Sequence, residues 1–243
     1  MSRPLRWVAA GSAAFVLALI ARFPASWAAW MLPRDVACRE LGGTLWSGTC
    51  SDLTVTQASL GDLQWSLEPL RLFLGELSLQ VSLTRPQGRA RGGIEIGLSG
   101  AITGRNLQAR FRLDHALIAQ LPPSTRAVVD ANLTSLRWQN GNIEAIRGEI
   151  AVTGLTTAQG ESLGAYRIAF PGGGTGEPTG RLSDLGGPFS VEGTVRVTPG
   201  PGYVVSGLIA ARTGAPPDLA AQLRYLGTPD SEGRREFSVA GTL

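Results

Sequence analysis

The sequence predicts a mainly β protein, in which an N-terminal transmembrane helix precedes an antiparallel β-sheet domain, curved or half-barrel in shape, with one or two short helices. Apolar and polar residues alternate with a period of two almost to the last residue, as in strands with one buried face. Turns are frequent, because 32 glycines and 15 prolines punctuate the 243 residues. Helical periodicity is confined to short stretches, which does not fit a doubly wound α/β fold.

The N-terminal segment predicts a membrane anchor. Arg3 and Arg6 precede an apolar run over residues 7–21, and Arg22 ends this run. A helix of this length rises only about 22 Å, which is less than the ~30 Å thickness of the hydrocarbon core. However, Arg22 can extend its charge to the interface, and Phe23 continues the apolar surface.

A cleavable signal peptide is the alternative, because the letters ASWAA at residues 25–29 offer small residues near a cleavage point. The apolar stretch continues beyond them with Trp30 and Met31, which can lie on the membrane surface. The flanking arginines orient the segment only weakly. We therefore expect an uncleaved anchor, which divides the chain into a tail at 1–6, the anchor with its membrane-proximal amphipathic segment at 7–32, and a β-rich domain at 33–243.

Cys38 and Cys50 predict a β-hairpin closed by a disulfide. The stretches VACREL and TCSDLTV can run antiparallel around the turn GGTLWSG, which brings the cysteines within the Cα range of a disulfide. Closing so small a loop contributes about 2–3 kcal/mol in the chain-entropy model. A disulfide implies an oxidising compartment, which is the periplasm in a bacterium. Trp46 is interpreted as a packing residue of this hairpin, with a surface contact as the alternative.

A catalytic cysteine is the functional alternative to the disulfide. It requires a base, and the single histidine of the chain is His115. This residue lies in DHALIAQLPP, a predicted short helix that ends at Pro122 and Pro123, where a packed or solvated histidine is the better interpretation. A zinc site needs more thiol or imidazole ligands than these three residues supply. The sequence therefore predicts no metal, no cofactor and no catalytic residue.

Strands are predicted in series from residue 63 onward, with shifts of parity at Pro69 and Gly75 that indicate turns or bulges. The first three apolar sets are Leu63, Trp65 and Leu67, then Leu70, Leu72 and Leu74, then Leu77, Leu79, Val81 and Leu83. Residues 85–93 are predicted as a loop. Three further strands carry Ile94, Ile96 and Leu98, then Leu107, Ala109, Phe111 and Leu113, then Ala127, Val129, Ala131 and Leu133.

Asn140-Gly141 is the strongest hairpin signal in the chain. Beyond it, a strand at residues 166–170 leads into the loop PGGGTGEPTG, which lacks the Gly-Lys-Ser/Thr ending of a phosphate-binding loop. Further strands are predicted around 191–197 and 203–209. PPDLAAQLRYLG predicts a short helix, with proline at its start, glycine past its end, and one apolar face formed by Leu219, Leu223 and Leu226. REFSVAGTL predicts the last strand.

Several functional classes are excluded by what the chain contains. All 22 basic residues are arginines, and they are scattered rather than clustered among aromatic residues, which argues against a nucleic-acid partner. Asp52 and Asp62 could form a carboxylate pair, but solvated turn residues are the better interpretation. With one histidine and no lysine, an enzyme is not expected. An anchored, β-rich interaction module remains.

An ordered series of motifs resembles the type II secretion system protein N family of Gram-negative bacteria, and the resemblance covers most of the chain. Pro24, Ala25 and Trp27 follow the anchor, Trp65 to Leu72 read WSLEPLRL, and LGAYRIAF and DLGGPFSVEG come later. Leu226 to Arg234 follow the C-terminal helix. The central motif consists of Gly43, Thr44, Leu45, Trp46, Ser47 and Gly48.

The resemblance implies an accessory scaffold or bridging protein that supports export of folded exoproteins from the periplasm through the outer-membrane secretin. It implies a single-pass inner-membrane protein with its C-terminal domain in the periplasm. The implied partners are the platform proteins, the L and M components, and the secretin. It assigns no catalytic residues. Trp46 and Gln222 are the candidate partner contacts. The alternative function is a lipid- or amphiphile-binding groove of the bridge-like type, if the leucine-rich faces over residues 63–83 are open.

Overall fold

The computed structural model describes residues 7, 11–12, 15, 19, 22–27, 36–55, 58–72, 75–113, 125–157, 159–174, 176–200 and 202–242. This part of the chain is mainly β, with fourteen strands in antiparallel pairs and few helices. The chain divides into two compact units, an N-terminal unit over Met1–Pro86 and a C-terminal unit over Gln87–Leu243.

The N-terminal unit is a small antiparallel sheet. Strand β3 pairs along one edge with β1 and β2 and along the other with β4, which in turn pairs with β5. Between β4 and β5 lies the one-turn helix α1. The bounds are β1 Val36–Ala37, β2 Glu40–Gly43, β3 Ser47–Val55, β4 Ala58–Leu67, α1 Pro69–Leu72 and β5 Leu77–Arg85.

A bulge in β3 links the backbone of Asp52 to the side chain of Asp62. The pairing of β3 with β4 shifts between Cys50 and Leu53, and Asp52 adopts a φ of 51°. The Asp52 backbone N–H donates to Asp62 Oδ1 at 3.0 Å, and Ser59 Oγ donates to Asp52 Oδ1 at 2.7 Å. The link between the two residues is therefore a bond from a backbone N–H to a carboxylate at the bulge, and not a carboxylate pair.

Three sequence predictions over residues 70–98 need correction. The predicted strand with Leu70, Leu72 and Leu74 is wrong at its start, because Pro69–Leu72 forms the helix α1, whose first residue is a proline that needs no N–H donor there. The predicted loop at 85–93 is too long, because a strand begins at Gly88. Leu98 is not a strand residue but lies in a turn, where it is 93% exposed.

The C-terminal unit is an antiparallel sheet in which every strand pairs with its neighbour along the chain. The ladder does not join its first strand to its last among the described residues, so the sheet is open. Its strands are β6 Gly88–Ile96, β7 Ile102–Leu113, β8 Arg126–Gln139, β9 Asn142–Thr156, β10 Ser162–Phe170, β11 Thr179–Asp184, β12 Phe189–Thr198, β13 Gly202–Ala211 and β14 Arg235–Thr242.

The predicted hairpin at Asn140-Gly141 is confirmed. The two residues join β8 and β9 with φ values of 51° and 78°, and Gln139 pairs with Asn142. Positive φ at both central positions is the type I′ turn that matches the twist of antiparallel strands. Asparagine and glycine tolerate this conformation better than other residues, so the dipeptide sets the register here.

Two apolar clusters form the core of the C-terminal unit. The first consists of Ile146, Phe170, Val195 and Val197, which come from β9, β10 and β12. Since β9 and β12 are not neighbours in the ladder, the sheet bends over this face. The second cluster consists of Phe189, Val191 and Leu219.

Leu219 belongs to helix α2, Pro217–Gln222, which is followed by a 3-10 turn at Leu223–Leu226. The predicted C-terminal helix is thus confirmed, including its proline start and the glycine beyond its end, Gly227, at a φ of 100°. Its predicted apolar face is only partly buried, because Leu219 is 3% exposed whereas Leu226 is 41% exposed.

A partly buried carboxylate, that of Asp184, ties β11 to the strands beside it. Asp184 accepts hydrogen bonds from the backbone N–H groups of Gly186 and Val191, each at 3.1 Å, and from Arg212 Nη2 at 2.6 Å. Burial by itself raises the pKa of Asp184, but the hydrogen bonds from Val191, Arg212 and Gly186 outweigh it and hold the pKa below its usual value.

The stability that Asp184 provides is expected to depend on pH. A carboxyl with a depressed pKa stabilises the folded state above its unfolded pKa of 3.8, and this contribution is lost as the pH falls through the folded pKa. Asp184→Asn should therefore cost about 2 kcal/mol near pH 7, and the difference from wild type should shrink below about pH 4. Urea unfolding at several pH values measures this, with the exposed Glu177→Gln as control. A constant difference across pH would contradict it.

Most of the predicted anchor, and the predicted helix at His115, lie outside the described residues. Within 7–32 the structure describes Trp7, residues 11–12, 15 and 19 with helical backbone, and residues 22–27. Among the described residues, no helix combines the length and the apolar character that a bilayer crossing requires.

Candidate functional site

The site is built around the disulfide hairpin of the N-terminal unit. Cys38 and Cys50 are bonded, with their Cα atoms 5.6 Å apart, which lies within the usual range. Cys50 lies in β3 opposite Leu41 of β2, as the antiparallel arrangement of the two stretches predicted. The cysteines are therefore part of the hairpin framework, and Cys50 is 1% exposed.

The motif Gly43–Gly48 forms the turn of this hairpin. Gly43 has a φ of 88°, and a Cβ there would be 2.8 Å from the Cα of Gly48, so a glycine is required. The Thr44 N–H donates to the Ser47 carbonyl at 2.8 Å, which closes the turn. Trp46 is half-buried, and its carbonyl accepts from the Leu67 N–H at 2.6 Å.

Trp65 of β4 packs beneath the turn. Its indole Nε1 donates to the Leu45 carbonyl at 3.2 Å. Gly48 lies against the indole ring so closely that a Cβ at this position would be 2.7 Å from Trp65 Cη2. The glycines of the motif thus have two roles, since Gly43 permits the turn and Gly48 gives room to Trp65.

An apolar cavity of about 330 Å³ lies beneath the hairpin. No charged residue is among its described lining residues. Its described walls come from all strands of the unit and from the segment before them: Ala25, Val36, Cys38, Leu41, Leu45, Cys50, Leu53, Leu63, Trp65, Leu79 and Val81. Part of the leucine-rich face predicted at residues 63–83 therefore lines this cavity.

The cavity has a buried floor and an exposed mouth. Cys50, Ala25 and Leu53 are 1%, 2% and 9% exposed, respectively. Leu45, in contrast, is 37% exposed although it lines the same cavity. The space is therefore open to the surface beside the hairpin turn.

The segment that follows the predicted anchor lies at this cavity. Pro24 forms a β-bridge with Thr44, and the Leu45 N–H donates to the Phe23 carbonyl at 2.9 Å. Phe23 and Trp27 are in edge contact, with ring centroids 5.7 Å apart, and are 38% and 64% exposed. Ala25, whose side chain lines the cavity, thus stands in the sequence between two exposed aromatic residues, Phe23 and Trp27.

A second depression lies on the C-terminal unit and has a mixed polar and apolar lining. Its volume is about 1280 Å³, and it extends across β11 to β14. Most of its lining side chains are charged or carry hydroxyl groups, namely Arg181, Ser183, Glu192, Thr194, Ser206, Glu236 and Ser238. Leu182, Leu208, Leu226 and Phe237 also line it, so this surface offers both hydrogen bonds and apolar contacts. Gln222, a candidate partner contact, is exposed at the end of α2 in the same unit.

The chemistry that the described residues offer is apolar binding. In this part of the chain, no group of three or more histidine, cysteine, aspartate or glutamate residues could hold a metal ion. Every buried side-chain nitrogen or oxygen there has a hydrogen-bond partner. The sequence interpretation identified the hairpin, Trp46 and the apolar face over residues 63–83, but it did not place Ala25 or Leu53 in the same site. The only sequence pattern that could have indicated these residues is the alternation of apolar with polar residues.

Comparison with known proteins identifies the family. Residues 34–238 match the family model described as type II secretion system (T2SS), protein N. The type II secretion system protein N of Vibrio cholerae serotype O1 (strain ATCC 39315 / El Tor Inaba N16961) is 25% identical over 234 residues, which cover 87% of each chain. No solved structure matches the chain. Since the family model spans most of the sequence, the chain belongs to the type II secretion system protein N family.

Proposed function

We propose that this protein is an accessory scaffold of the type II secretion system, which bridges components and supports export of folded exoproteins from the periplasm through the outer-membrane secretin. Membership of the family supports a place in this secretion machinery. The proposed role is mechanical. The site described above offers surfaces and an apolar cavity, and the proposal requires no chemical step.

The proposed location is the inner membrane, with residues 1–6 in the cytoplasm, a single anchor at 7–32 and the domain at 33–243 in the periplasm. The disulfide between Cys38 and Cys50 supports an oxidising compartment for the N-terminal unit. The exposed aromatic pair of Phe23 and Trp27 supports a membrane interface close to this unit, because aromatic rings favour that region.

The observation that carries the scaffold role is the edge strand β14. Among the described residues it pairs only with β13. Ser238, Val239 and Ala240 are all exposed, so this part of the strand is solvated on both faces, and Val239 is 54% exposed. No charged residue protects it after Glu236, although charges are the usual protection of an edge. We infer that an extended segment of an L or M component, or of the secretin, adds to β14 as a further strand.

Photo-crosslinking in native membranes tests this function. A photo-reactive residue is placed at Val239, Trp46 or Gln222, and the adducts are identified by mass spectrometry. We expect adducts with platform or secretin subunits from Val239. Leu98 is the matched control position, because it is also apolar and is 93% exposed in a turn. Equal adducts from Leu98, or only lipid adducts from all positions, would contradict the proposal.

Export of exoproteins is measured in cells with substitutions at the same two positions, Val239 and Leu98. In cells that lack the wild-type protein, Val239→Lys should restore less exoprotein to the medium than Leu98→Lys, because a charge on an edge strand opposes strand addition. The deletion itself should reduce export. Normal export in a clean deletion would contradict the scaffold role.

The second candidate function is the binding of a lipid or amphiphile. The apolar cavity of the N-terminal unit supports it, because the walls are hydrophobic and the mouth is open. The depression on the C-terminal unit favours an acyl chain less, because charged and hydroxyl side chains interrupt its apolar lining. If the protein binds a lipid or amphiphile, a local site in the N-terminal unit is therefore better supported than a groove along the whole domain.

A further inference from the structure

We propose that the cavity beneath the disulfide hairpin binds one acyl chain of a membrane phospholipid. This inference rests on the second candidate function and is independent of the scaffold role. It names the ligand class, the residues that hold it and the source of the ligand.

The lining of the cavity selects for hydrocarbon. Its floor is the disulfide with Ala25 and Leu53, and its sides include Leu63 and Val81. None of the lining residues carries a charge, and the indole N–H of Trp65 is already donated to the Leu45 carbonyl. A polar ligand would lose its hydrogen bonds with water and gain none in return, which is costly. A hydrocarbon chain has no such groups to satisfy.

The size of the cavity suits one chain and not a whole lipid. Its volume is about 330 Å³. A methylene group occupies a volume similar to that of one water molecule in the liquid, which is about 30 Å³. The cavity therefore accommodates about ten methylene groups by this measure. The rest of the lipid lies outside the mouth, beside Leu45.

The position of the cavity in the chain indicates the bilayer as the source. Ala25 lies only four residues after the apolar run that ends at residue 21, so the cavity adjoins the segment that leaves the predicted anchor. Phe23 and Trp27, which come two residues before and two residues after Ala25 in the sequence, are exposed, as is Arg22. Aromatic rings and arginine favour the headgroup level of a bilayer. A lipid at that level needs to move one chain over a short distance to enter beside Leu45.

The test uses the full-length protein in vesicles of phosphatidylglycerol and phosphatidylethanolamine, in which a fraction of the lipid carries a diazirine on one acyl chain. After illumination, the labelled peptides are mapped by mass spectrometry. We expect labels on β3, β4 or β5 at cavity-lining positions. Labels confined to residues 7–24 and 26–27 would overturn the proposal, because they would report only ordinary contact of the anchor with lipid.

Leu45→Trp is the variant that blocks the mouth, and Leu185→Trp is its control. Leu185 is 43% exposed in the C-terminal unit, so the same change is made at a similar exposure far along the chain. If the new ring displaces two or three methylene groups, cavity labelling should fall roughly 15- to 60-fold, since each buried methylene is worth about a factor of four in affinity. Undiminished labelling in Leu45→Trp would overturn the proposal.

Two further measurements separate the possible failures. The melting temperature and far-UV spectrum of Leu45→Trp should match those of Leu185→Trp, and if they do not, Val81→Phe fills the cavity from β5 instead. Export is measured for the same variants. If labelling is lost while export stays normal, the conclusion that the cavity binds lipid still holds, and lipid binding there is not required for secretion. A photo-reactive residue at Leu45 that yields a defined partner protein and no lipid would overturn the proposal in favour of a peptide site.

Discussion

Replacing Cys38 and Cys50 together with alanine is expected to lower the free energy of unfolding of the N-terminal unit by about 3 kcal/mol. The bond joins residues that are 12 apart in sequence, and its loss gives the unfolded chain more freedom. Alanine is the appropriate replacement, because Cys50 is 1% exposed and a serine hydroxyl there would face apolar neighbours. Hydrogen exchange of peptides from residues 36–67, followed in increasing urea, measures the change.

Reduction of the wild-type protein is the matched control for this prediction. The reductant should lower the protection of the wild-type peptides to the level of the double variant and should leave the variant unchanged. Peptides from the C-terminal unit should keep their protection in both proteins. If the N-terminal peptides lost no protection, the pairing of β3 with β4 would be sufficient to hold the hairpin, and the prediction would be wrong.

Phe170→Ala is expected to cost about 3–5 kcal/mol in the free energy of unfolding of the C-terminal unit. Phe170 is 5% exposed and packs with Ile146, Val195 and Val197. Its ring lies over Gly180 of β11, where a Cβ would be 2.8 Å from Phe170 Cε1. Since glycine has no side chain that could move into the vacated space, the cavity left by the substitution cannot close easily. Urea unfolding followed by hydrogen exchange of β9, β10 and β12 peptides measures the loss.

Val239→Ala provides the comparison for Phe170→Ala. Val239 is 54% exposed in β14, so its truncation should change stability by no more than about 0.5 kcal/mol. Phe170→Leu, which keeps part of the volume, should fall between the two. A cost below about 1 kcal/mol for Phe170→Ala would mean that this cluster is not the cooperative core of the unit.

The hairpins are the part of the fold that local sequence predicts best. Asn140-Gly141 specifies its own turn, because both residues tolerate positive φ. The hairpin around residues 43–48 follows the same logic, with Gly43 at a φ of 88°. The helix at Pro217–Gln222 was also predictable, because its proline, its glycine and its apolar spacing agree. In each case the information lies within a few consecutive residues.

Elements that depend on distant partners were harder to predict. Strand β6 includes the stretch Gly88–Gly93, whose glycines and arginines suggest a loop, but pairing with β7 places Ala90 opposite Ala109. Strand β11 was missed because Leu182 is its only large apolar residue, and its buried Gly180 makes room for Phe170. The helix α1 was assigned as a strand, because a single turn is too short to show helical periodicity.

The candidate site shows the same limit. Alternation predicted that Leu63, Trp65, Leu79 and Val81 face a common side, and the structure agrees. It could not predict that they leave a space between them, because a cavity depends on how strands twist and on what the other strands contribute. Nor could it show that Asp52 and Asp62 meet, because the bulge that joins them is a departure from regular pairing.

The order of the strands has a consequence for how the protein acquires its structure. Within each unit, strands pair with their neighbours along the chain, and the one described exception, β1 with β3, is short. Contacts of low sequence separation favour fast folding, because little loop entropy must be lost before they form. Each hairpin can therefore close soon after it leaves the ribosome or a translocation channel. The loop between Cys38 and Cys50 spans only 12 residues and precedes most of the strands, so it can be closed before the later strands have emerged.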